Sequence, residues 1–157
     1  MKALLLLLLL GFQGLDVEGR WFDPAAFPGK VVVLEWVNPD CPPWLAYYDP
    51  PFLQKMQRDY PVVWVWVCSK KGVTGERLRS AAASLGASPS FMLLDPSGRM
   101  AREFRPAATP HVFVVRDGVV LYRGAVDDGE NVNYLGEALD AVLAGRPVER
   151  AQTRPFG

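Results

Sequence analysis

Three short runs along this chain are apolar almost without a break, and each predicts a strand. VVVLEWV (31–37) joins β-branched to aromatic residues with no polar alternation, the pattern of a central parallel strand covered on both faces. PVVWVWVC (61–68) is a second run of the same kind, and SFMLLD (90–95) is a shorter one closed by the turn DPSG. Between the strands the period lengthens. PPWLAYYDPPFLQKMQRDY (42–60) predicts a helix interrupted near Asp49-Pro50-Pro51, because proline lacks an N–H and clashes one turn back. TGERLRSAAASLG (74–86) predicts a helix with Thr74 as N-cap and Gly86 just past its end. HVFVVRDGVVLYRGA (111–125) predicts two strands joined at Asp117-Gly118, a strong hairpin signal. NVNYLGEALDAVLAG (131–145) sets Val132, Leu135, Leu139, Val142 and Leu143 on one face of a helix that Gly145 stops. RWFDPAAFPGK (20–30) reads as a loop with aromatic anchors.

The order is βαβαβ, then a hairpin and a final helix. The first half calls for parallel strands and the second for antiparallel ones, which makes an α/β fold with a mixed central sheet flanked by helices. Residues 20–146 form the expected domain and 147–157 a C-terminal tail. Residues 1–19, MKALLLLLLLGFQGLDVEG, have one lysine, an apolar core from Ala3 to Leu10 and then a polar stretch. That is the layout of an export signal, with Val17 and Gly19 as a tolerable cleavage site, and its apolar core is too short to span a bilayer. The expectation is a periplasmic or other extracytoplasmic protein, tethered to the membrane if the segment stays uncleaved. A buried N-terminal strand or helix is the alternative.

Composition narrows the chemistry. A chain of 157 residues, 50% of them hydrophobic, suits one domain with a proper core. Lys+Arg and Asp+Glu are equal at 17 each, so there is no basic field for nucleic acid or anionic lipid. One histidine and two cysteines exclude most zinc-site arrangements, and neither a metal nor a cofactor is expected.

Two residues stand out as candidates. Cys41, in NPDCPPWL, immediately precedes a predicted helix start, where free N–H groups favour a thiolate; a buried apolar cysteine is the alternative. Glu35 interrupts an apolar strand six positions earlier. A buried carboxylate must be paired or protonated, though a solvent-facing glutamate or a partner of Lys30 also fits the pattern.

Three segments carry a resemblance. GKVVVLEWVNPDCPPW, FMLLDPSGRMAREFRPAATP and ATPHVFVVRDGVVLYRGAVDD, in order over residues 20 to 145, resemble the thioredoxin-fold redoxin group that includes alkyl hydroperoxide reductase and thiol-specific antioxidant relatives. The resemblance implies a thioredoxin-like fold, with an inserted strand, turn and helix in the second segment. It implies thiol–disulfide exchange at Cys41 with protein or small-molecule thiols and disulfides, and a proton-exchanging role for Glu35. It also implies a cis proline at Pro110, with Thr109 offering backbone groups to a peptide. His111 would place a positive charge near the sulfur or point to the other side of the sheet. Cys68 would act as a resolving thiol or as a plain core cysteine. Trp44 stands where a dithiol motif has its second cysteine, and would pack in the core or rim, or cover the sulfur. Asn38 replaces the peroxidase threonine, and Thr109 stands where the peroxidase arginine has no evident counterpart. These departures rank exchange above a one-cysteine thiol peroxidase and above a non-catalytic peptide-binding module. NPDCP and the tail TRPFG resemble a single-cysteine subset of the group, in which a further cysteine is expected soon after the tail motif.

Overall fold

Each apolar run becomes a strand, and the strands meet in one sheet. The computed structural model describes residues 12–156; the leucine tract lies outside them. A hairpin of two-residue strands, β1 (Gly14–Leu15) and β2 (Trp21–Phe22), comes first, followed by a 3-10 turn at Pro24–Ala26 capped by Asp23. β3 (Val31–Trp36) runs parallel to β4 (Val63–Cys68), and β4 parallel to β5 (Phe91–Leu94). β6 (His111–Arg116) joins the other side of β3 antiparallel, and β7 (Val119–Gly124) follows it, so the order is β5-β4-β3-β6-β7. The predicted mixed sheet is therefore present, with β3 at its centre.

Side chains alternate across this sheet, so successive residues of one strand build two different cores. On one face Val31, Val33, Trp64, Trp66, Val112 and Val114 pack with residues of α1 (Pro42–Leu45), α2 (Leu53–Asp59), α3 (Gly75–Leu85) and α5 (Tyr134–Leu143). On the other, Val32, Leu34, Trp36, Val65, Val67, Phe113 and Val115 pack with Met100 and Phe104 of α4 (Arg99–Phe104) and with Phe12 and Phe22. The prolines at 50 and 51 break the predicted helix into α1 and α2, as expected. Thr74 caps α3 by accepting the Arg77 N–H at 3.1 Å, and Gly86 ends it with φ 62°. Leu143 differs from its expected place: it stays largely exposed while Leu135, Leu139 and Val142 are buried.

Both ends of the described chain are part of the fold. Phe12 is fully buried, 5.0 Å from the Phe104 ring, although it falls inside the segment expected as a leader. Asp16, also buried, pairs with Arg20 at 2.9 Å, and the Val17 N–H donates to Met92 O at 2.9 Å along β5. A two-residue strand has no alternation to detect, so the hairpin left no periodic signal. At the other end the tail lies along β7. Arg123 N donates to Ala151 O, Thr153 N donates to Arg123 O, and Thr153 Oγ1 accepts the Ala125 N–H at 2.9 Å.

Gly124 makes that docking fit. Its φ is 151°, and a Cβ there would lie 2.6 Å from Thr153 O and closer still to its Oγ1. Gly124→Ala should cost about 2–4 kcal/mol by overpacking and free residues 151–156 for proteolysis. Urea denaturation with limited proteolysis checks this; an intact tail and unchanged stability would show that the tail does not depend on this close approach.

Candidate active site

The chain leaves β3 through a tight turn. Asn38 Oδ1 accepts the Asp40 N–H at 2.9 Å, and Asn38 O accepts the Cys41 N–H at 3.0 Å. Cys41 becomes the N-cap residue of α1, with Pro42 and Pro43 filling positions whose N–H groups would have no helical partner. Its Sγ is half-buried and 3.5 Å from Thr109 O, to which the S–H donates. The Thr109–Pro110 peptide bond is cis. Arg77 reaches from α3 to Pro39 O at 3.4 Å and Asp40 Oδ1 at 3.3 Å. That ion pair is exposed and contributes less than about 1 kcal/mol.

Beneath this turn lies Glu35, fully buried on the helix-covered face. Trp44 Nε1 donates to its Oε2 at 2.6 Å and Trp64 Nε1 to its Oε1 at 2.9 Å. The Tyr48 hydroxyl donates to both oxygens, at 2.8 and 3.0 Å. Tyr48 is itself committed, because its oxygen accepts from Trp66 Nε1 at 3.0 Å and Gln57 Nε2 at 3.1 Å. The direct partners are thus all donors. They match a carboxylate, which only accepts. Burial works against the charge and pushes the Glu35 pKa from 4.5 up to about 7, while the hydrogen bonds pull it back down. The Tyr48 hydroxyl is raised well above its usual value by burial and then by the Glu35 charge.

The structure brings Cys41, Thr109 and Pro110 together, and ties Glu35 through Trp44 to α1, the helix that Cys41 caps. The other expected residues sit elsewhere. Trp44 is fully buried, in the core and not over the sulfur, with its indole N–H turned inward to Glu35. A substrate at the surface does not meet it. His111 packs on the opposite face, stacked on Phe113 at 4.6 Å, and its pKa is lowered to about 4 by burial and then by Arg123, so it brings no positive charge to the sulfur. Cys68 is buried at the end of β4, with its thiol pKa raised chiefly by burial. Both cysteines are free thiols. The donors Tyr48 and Trp64 were not singled out from the sequence as partners of Glu35. A signal existed: Trp64 and Trp66 alternate along β4 and share one face, and a buried acid requires donors.

No family model matches the chain, and no curated protein matches it. Solved structures do. A hypothetical protein from Sinorhizobium meliloti superposes with a TM-score of 0.81 at 26% identity, covering 93% of this chain and 87% of that one. A thioredoxin-like protein from Aeropyrum pernix gives 0.66 at 19% identity, covering 85% and 88%. A secreted disulfide oxidoreductase from Mycobacterium tuberculosis, described as homologous to Escherichia coli DsbE, gives 0.59 at 22% identity, covering 70% and 79%. The fold is thioredoxin-like.

Glu35 makes stability depend on pH in a defined direction. Its pKa is higher in the fold, about 7, than the ordinary 4.5. Between those values the native state keeps a proton that the unfolded chain has lost, so its stabilising contribution is full below 4.5 and fades as pH rises through about 7. Relative to Glu35→Gln, the wild type should lose up to about 3 kcal/mol across this window. The amide carries a pH-independent cost, since its NH2 faces donors. Urea denaturation of both proteins against pH checks the difference; a flat difference would show that Glu35 does not titrate there.

Proposed function

We propose that this protein performs thiol–disulfide exchange through Cys41 alone, as a single-cysteine member of the redoxin-like thioredoxin folds. The observation that carries the reading is the half-exposed Sγ at the start of α1, held against the Thr109 carbonyl beside Pro110. The Cys41 thiolate attacks a sulfur of a protein or small-molecule disulfide. One S–S bond forms at Cys41, the substrate S–S bond breaks, and the leaving sulfur departs as a thiolate. An outside thiolate then attacks the mixed disulfide and returns Cys41 to its starting state. The cycle is redox-neutral, and its second thiol comes from the partner. Cys68 takes no part in this reading, because its burial withholds it from a disulfide in solution.

Glu35 titrates near neutrality, and we assign it the proton balance of the sulfur above it. The Thr109-Pro110 backbone beside the sulfur receives the substrate backbone. The leucine tract Ala3–Leu10 directs export, and the segment stays uncleaved as a tether, because cleavage at Gly19 would remove Phe12 and open the aromatic core formed with Phe22, Trp36 and Phe104. Export places the thiol where disulfide substrates persist.

The test uses oxidised glutathione on wild type, Cys68→Ser and Cys41→Ser, read by intact mass. Wild type and Cys68→Ser should each gain one glutathione, removable by dithiothreitol, and Cys41→Ser none. Glutathionylation lost with Cys68→Ser would transfer the chemistry to the wrong sulfur and sink the proposal. Rapid sulfenate formation with hydrogen peroxide and no mixed disulfide would replace exchange with peroxidase chemistry.

A further inference from the structure

On the sheet face opposite the Glu35 core, the tail, β7 and the end of α4 enclose an open recess of about 410 Å³. Its charged lining is entirely basic: Arg105, Arg123 and Arg154, with no carboxylate among the described residues. None of the three arginines is in an ion pair among those residues. Arg105 holds the αL conformation at the C-cap of α4, and Arg154 sits on the docked tail. Arg123 is half-buried, with its guanidinium on the Phe113 ring and its Nη2 donating to Phe104 O at 3.0 Å. Bringing these like charges around one recess is unfavourable unless something negative sits between them.

His111 supplies an independent observation. It lines the same recess and is almost wholly buried. Its Nδ1 accepts the Ala107 N–H at 2.9 Å, which puts the proton of the neutral ring on Nε2. That Nε2–H is buried and without a partner among the described residues. A buried donor lacking an acceptor costs on the order of 1–3 kcal/mol. The recess therefore joins three cations to a buried donor that has no acceptor among the described residues.

We propose that this recess binds a small oxyanion, a carboxylate or a phosphate, held by Arg105, Arg123 and Arg154 with His111 as a neutral donor. Guanidinium groups suit both oxyanions through paired N–H donors. The ligand is bound and not transformed. The site is separate from Cys41, because His111 and Phe113 face away from the Glu35 layer.

His111 is the chain's one histidine, so its imidazole signals in a long-range proton–nitrogen spectrum need no assignment by mutation. Inorganic phosphate and, separately, malonate are titrated into the full protein at ionic strength held constant with chloride. The expected result is a saturable shift of the His111 resonances. Saturation by phosphate alone identifies a phosphoryl ligand, and saturation by malonate alone a carboxylate. The Arg105→Gln/Arg154→Gln variant replaces two exposed side chains and should bind about tenfold or more weakly. Arg58→Gln, on α2, should bind as wild type does. No saturable shift with either anion, an unchanged affinity in the double variant, or an equal loss in Arg58→Gln would overturn the proposal.

Discussion

A fully buried carboxyl group, with no ion pair among the described residues, sits between the sheet and its helices, and much of the surrounding sequence answers to it. Removing a carboxylate from water costs several kcal/mol. Here the cost is met by dipoles instead of a counter-ion: two indole N–H groups and one phenol, with a third indole and Gln57 holding the phenol in place. This arrangement couples elements that are distant in the chain. β3 brings the acid, the parallel register of β4 brings Trp64 and Trp66, and the segment after Cys41 brings Trp44 and Tyr48. Loss of one donor would leave an under-solvated charge, so the network constrains the sheet register and the seating of α1 together. It also accounts for the tryptophan in the motif. The position that a dithiol site would use for a second sulfur is occupied by a side chain working inward, on the acid.

How much of this was legible depended on whether the signal was local. The strands 31–37 and 61–68, the hairpin at Asp117-Gly118 and the Thr74 cap all announce themselves within a few residues, and the structure has them. The helix Arg99–Phe104 is too short to show a period, and came only from the resemblance. Glu35 was visible as an anomaly, a charge in an apolar strand. Its partners were less so, because a tryptophan in a core-like run looks the same whether its N–H is free or bonded. His111 turned on strand parity: as the first residue of β6 it shares a face with Phe113 and Val115, and one position later it would have faced Glu35. Parity at a strand end depends on where the strand begins, which is the least certain boundary to read.

The two sheet faces carry different chemistry as a result. One holds a neutral-range acid under a half-exposed sulfur, with apolar and aromatic surroundings. The other holds a tight aromatic cluster of Phe12, Trp36, Phe104 and Phe113, bordered by arginine. β3 separates them, so a change of one residue in its register would exchange their side chains.

The two ends of the chain do something for the sheet that neither does for the sulfur. β5 and β7 are its outermost strands, and each has a terminal segment laid against it: Val17 bonds to Met92, while residues 151–153 bracket Arg123. Open strand edges offer unpaired backbone groups to any extended chain, including another copy. Here those groups are partly occupied by the protein's own termini. Without these segments the sheet would present two open rails to any extended chain, and the folded ends shorten both.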